Sequence, residues 1–72
     1  MINIERKVND LINDLTTINW KTSIPIILKS IKDDPSTSED KKTVLIKQLM
    51  ITHRNIKNAI KSLEFLNEEI AK

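Results

Sequence analysis

The chain has no cysteine, no glycine and no tyrosine, and only one tryptophan, one phenylalanine and two prolines among its 72 residues. Without cysteine there is no disulfide framework, no thiolate metal site and no cysteine nucleophile. Without glycine there is no phosphate-cradling loop, no dinucleotide fingerprint and no primed hairpin turn. Long apolar runs are missing too. Ile26-Ile27-Leu28 is as long as they get, far short of the roughly 18 residues that mark a membrane span. Met1 is followed by a charged helical pattern rather than by a basic segment and an apolar core. No secretory leader is expected, and a cytoplasmic location is.

What is present is 39% apolar and 31% charged, with a formal net charge of +2. Ile, Lys and Asn supply 30 of the 72 residues, a bias of AT-rich coding that carries no chemistry. One small domain is expected over residues 1–72. Domains of roughly 60 residues bury only about 60% of their unfolded surface. Such scaffolds usually add disulfides, a metal or a second subunit. With the first two absent, oligomerisation or docking on a partner is the expected source of further stability.

Hydrophobic spacing predicts an all-α chain of three helices. Ile4, Val8, Leu11, Leu15 and Ile18 step by four and three, which is one face of a helix over about 2–18. Ile12 widens that stripe. The register breaks between Asn19 and Ser23, after the β-branched Thr16, Thr17 and Ile18. Thr22 or Ser23 can cap a second helix over about 24–33, with Pro25 in its first turn. The competing reading is one helix kinked at Pro25. Asp33-Asp34-Pro35 stops the segment, and Ser36 with Glu39 reads as a capping box for the third helix, about 37–71. There Leu45, Leu49, Thr52, Ile56, Ala59, Leu63, Leu66 and Ile70 form an unbroken heptad seam.

The lengths predict an antiparallel helical hairpin whose first arm is broken in two. Folding back near residue 36 sets Ile4 opposite Ile70, Val8 opposite Leu66, Leu11 opposite Leu63 and Ile18 opposite Ile56. It also sets Arg6 near Glu68, and Asp10 and Asp14 near Lys61 and Lys57. A hairpin needs one apolar seam per arm, and the third helix has more: Ile46 and Ile60 on one side, Met50, Ile51 and Phe65 well round the other. Two such hairpins packed face to face form a four-helix bundle, so a homodimer is expected. The alternative is a three-helix monomer whose first two helices wrap the third.

Candidate chemistry is sparse. His53, the only histidine, stands beside the seam, and its nearest carboxylates in sequence are Asp40 and Glu64. A general base needs an orienting partner and a nucleophile in reach, so a structural histidine is expected. Asp10 with Asp14, and Glu64 with Glu68, are four apart, but no Glu-x-x-His motif completes a bundle metal site. No metal, no cofactor and no enzyme activity are expected. Between Lys41 and Lys61 there are six basic residues and no acidic one. Lys47, Arg54 and Lys61 recur every seven residues as a ridge opposite the seam, with Lys57 beside them. That ridge is the basis of an alternative nucleic-acid-binding reading. No aromatic interleaves with it for base stacking. A membrane-surface role is disfavoured by Glu64, Glu68 and Glu69 on the same face.

The expected function is therefore a small helical protein–protein interaction module. Inhibitors, immunity factors and assembly adaptors encoded by phages or plasmids work in this way. Its partner-binding residues are expected to be Met50, Ile51 and Phe65 on the third helix, with Trp20 as a second anchor.

Overall fold

The computed structural model describes residues 2–72. Among them the chain is all-α, with α1 at Ile2–Trp20, α2 at Ser23–Asp33 and α3 at Glu39–Ala71. No described residue has a positive φ, so both turns are made without the left-handed conformation that glycine usually supplies.

α1 ends because its last turn closes on one carbonyl. The backbone N–H groups of Lys21 and Thr22 both donate to the Thr17 carbonyl at 2.9 Å, and the Thr22 hydroxyl donates to it at 3.3 Å. Pro25 is the third residue of α2, where a missing N–H costs nothing because it has no intrahelical acceptor. The chain is thus two helices separated at Lys21-Thr22, and not one helix kinked at Pro25.

The second turn is tied by Asp34. Its carboxylate accepts from the Thr37 hydroxyl, the Ser36 hydroxyl and the Ser36 backbone N–H. These bonds, led by that from Thr37, lower its pKa from 3.8 to about 2. Ser36 is therefore spent on Asp34 and does not cap α3. The cap is Ser38, whose hydroxyl accepts from the Lys41 N–H at 3.2 Å. This corrects the capping box expected at Ser36 and Glu39. Pro35 and the Asp34 bonds hold the chain in a turn for two further residues. The Lys42 ammonium then spans the turn, donating to the Lys32 carbonyl at 2.9 Å.

All three helices pack together. Asn19 donates its side-chain amide to the His53 carbonyl at 3.1 Å, and Asn67 donates to the Asn9 side-chain oxygen at 2.8 Å. Those two bonds make α1 antiparallel to α3. The chain is a slab with Cα extents of 52 × 16 × 10 Å, one helix deep. Its buried apolar residues are Ile24, Leu49 and Ile60.

The contact line differs from the expected seam. On α3 the residues turned inward are Ile46, Leu49, His53, Ile56, Ile60, Leu63, Asn67 and Ile70, while Leu45, Thr52, Ala59 and Leu66 are exposed. On α1 they are Val8, Ile12, Leu15 and Asn19, while Ile4, Leu11 and Ile18 are exposed. Each helix is rotated by about 50° from its apolar stripe, half the angle of one residue step. One neighbouring helix covers a strip narrower than the apolar arc. Polar pairs settle where the strip falls: Asn19 on His53, Asn9 on Asn67, and the Trp20 ring edge-on to His53 at 5.3 Å.

The same rotation leaves the expected cross-arm ion pairs unmade. Among the described residues the salt bridges are Lys42–Glu39 and Lys72–Glu69, both within the C-terminal segment. Arg6 with Glu68, and Asp10 and Asp14 with the lysines of α3, are not paired. An exposed pair is worth less than about 1 kcal/mol, too little to pull a helix round against its polar anchors.

Candidate functional site

Because α3 is turned, the line diametrically away from α1 and α2 is not the basic ridge but Val44, Ile51 and Phe65. These residues occupy one heptad position. Val44 is 60% exposed, Ile51 43% and Phe65 62%. An apolar line facing away from every other element of its own chain contributes nothing to that chain's core. Lys47, Arg54 and Lys61 form the adjacent line, all exposed and without an ion pair among the described residues. Lys57 is exposed farther round, on the side of Met50.

The four expected partner-binding residues do not form one patch. Ile51 and Phe65 lie on the outward line. Met50 lies a quarter-turn or so from it, on the side where α1 meets α2, and is 37% exposed. There it joins Trp20, the last residue of α1, in lining an open apolar depression of about 220 Å³ with Ile24, Pro25, Leu28 and His53. Trp20 closes the end of α1 against the His53 ring and still shows about half its surface to solvent. Sequence reasoning passed over Val44. The available signal was its seven-residue spacing from Ile51 and, three times over, from Phe65.

The other candidate groups stay apart. His53 is half-buried against Trp20, and among the described residues no carboxylate or hydroxyl is hydrogen-bonded to its ring. Asp10, Asp14, Glu64 and Glu68 are exposed, and no group of three or more metal-ligating side chains comes together among the described residues. Lys42, one of the six basic residues of the run, is held by Lys32 and Glu39 rather than free for an anion. No described helix is long and apolar enough to cross a membrane.

Comparison with protein-family models, with curated proteins and with solved structures finds no match.

Proposed function

We propose that the chain is a non-catalytic helical hairpin that acts in the cytoplasm as a protein-binding module, in the manner of an inhibitor, immunity factor or assembly adaptor. It lays the outer side of α3 into an apolar groove of a partner protein. Val44, Ile51 and Phe65 fill the groove as anchors on one helix face. Lys47, Arg54 and Lys61 run along its edge, so the rim of the groove is acidic. The observation that supports this reading most is the exposure of Phe65, a large aromatic side chain placed where no helix of its own chain reaches it.

The test is a photo-crosslinking residue placed at position 65, in the native host, with position 29, exposed on the outer side of α2, as control. A discrete heteroconjugate from position 65 that disappears on Ile51→Asp supports the proposal, provided helicity is unchanged. Crosslinks from position 65 only to other copies of this chain, or none, would overturn it. A mobility shift on DNA or RNA that steepens with falling salt, and is lost on Arg54→Ala with Lys61→Ala, would instead favour the basic ridge as the working surface.

A further inference from the structure

The apolar stripes of α1 and α3 both lean away from the line along which these helices touch, and they lean to the same side. On α3 the leaning residues are Leu45, Ala59 and Leu66, all exposed. On α1 they are Ile4, Leu11 and Ile18, also exposed. In each helix this flank precedes the contact line in the sense of rotation. For two antiparallel right-handed helices, flanks of the same sense open on one face of the pair. Ile27 continues the row along α2. The result is an apolar strip running the length of one broad face of the slab. The Trp20 and Met50 depression lies on the opposite face, and the Val44, Ile51 and Phe65 line lies on the outer edge.

The size of the lean says what kind of cover is missing. In a square bundle of four helices, each helix has two neighbours roughly at right angles, and its apolar stripe points between them, about 45° from either. Here the stripe-to-contact angle is about 50° on α1 and again on α3. One neighbour is present within the chain, and the other belongs above the apolar face. That face measures about 52 by 16 Å between Cα atoms, comparable with the roughly 800 Å² per partner of a stable protein interface.

The order of residues along the face identifies the cover. A two-fold axis crossing α3 at Asn55 sets Leu45 opposite Leu66 of the partner subunit, and Thr52 opposite Ala59 of the partner subunit. Along the rim, the same axis sets Lys41 against Glu69 of the partner subunit and Gln48 against Ser62 of the partner subunit. On the first arm it sets Ile18 near Ile18 of the partner subunit and Asp14 near Lys21 of the partner subunit. Apolar meets apolar, small meets small, and Lys41 and Asp14 each meet an opposite charge, all about one axis. The other two-fold stacking, with α1 over α3 of the partner subunit, sets only Lys7 against an opposite charge, at Glu69.

We propose that a second copy of this chain covers this face. Its α3 runs antiparallel to the first across an axis at Asn55, closing a four-helix bundle whose turns lie at opposite ends. The Val44, Ile51 and Phe65 line stays outside that bundle, so the proposal is independent of the function proposed for that line.

The absence of cysteine gives a clean test. At tens of micromolar, light scattering should report twice the 8.3 kDa of one chain. Mild oxidation of Asn55→Cys should give a disulfide-linked dimer. Ser62→Cys alone should not link, because two-fold-related copies of that position lie about 20 Å apart along the axis, whereas a mixture of Gln48→Cys and Ser62→Cys should. Leu66→Glu should return the mass to that of one chain with helicity retained, while Phe65→Glu leaves the doubled mass intact. A single-chain mass at these concentrations overturns the proposal. So does a doubled mass in which Asn55→Cys fails to link, or one that survives Leu66→Glu.

Discussion

The side-chain amide of Asn19 donates to the backbone carbonyl of His53 across the junction of α1 and α3, and the Asn19 side-chain oxygen, equally buried, has no partner. Asn19 is 1% exposed. One half of this amide fixes the register of two helices while the other half is a cost, since an unsatisfied buried acceptor forfeits about 1–3 kcal/mol. Asn19→Leu should therefore raise stability by about 1 kcal/mol, or a melting temperature higher by about 4–8 °C for a chain of this size. Thermal unfolding followed by circular dichroism checks it. A lower melting temperature would mean that the bond to His53 outweighs the orphaned oxygen.

Burial is so thin that single core positions should dominate stability. Ile60→Ala should cost about 2–5 kcal/mol, a large part of the roughly 4–11 kcal/mol expected for a domain of this length. Ile26, equally apolar but exposed on the outer side of α2, should tolerate alanine within about 0.5 kcal/mol. Urea unfolding of the two variants at equal concentration makes the comparison. Equal losses would show that the inward line of α3 has been misplaced.

Acid should loosen the α2–α3 turn. The pKa of Asp34 is lowered on folding from 3.8 to about 2, so its carboxylate contributes stability that is present in full above about pH 4 and is lost as pH falls toward 2. Asp34→Ala removes the acceptor at every pH. The melting temperatures of wild type and Asp34→Ala should differ at pH 7 and converge below about pH 2. A gap that stays constant down to pH 2 would contradict this account.

The start of α2 is underdressed. Thr22 holds the N-cap position without a side-chain hydrogen bond, and the first turn contains no acidic residue. Ser23→Asp places a carboxylate against the positive end of the helix and should add about 0.3–1 kcal/mol at low salt. The gain should vanish at 1 M salt, where the Debye length is about 3 Å. Thermal melts at the two ionic strengths measure it.

Helix number and extent were legible from spacing and punctuation. Segments expected at 2–18, 24–33 and 37–71 are found at Ile2–Trp20, Ser23–Asp33 and Glu39–Ala71. The displaced start of α3 comes from two serines that both suit a cap. Only the geometry of Asp34 shows that Ser36 is taken. The seam was harder for a physical reason. Two staggered lines share Leu49, Ile56, Leu63 and Ile70. One adds Leu45, Thr52, Ala59 and Leu66, and the other adds Ile46, His53, Ile60 and Asn67. Apolarity alone favours the first, and the polar bonds of Asn19 and Asn67, visible only once the helices are paired, select the second. That choice also divided the expected interaction residues, leaving Ile51 and Phe65 outward and turning Met50 toward the end of α1.

The slab is a single helix in depth, and that bears on how long the protein lasts in a cell. Cleavage by proteases follows the population of transiently opened chains. A layer with water on both broad sides opens often. A lone subunit should therefore be cut faster than one whose broad face is covered by the proposed second copy, so limited proteolysis should consume Leu66→Glu before the unsubstituted chain.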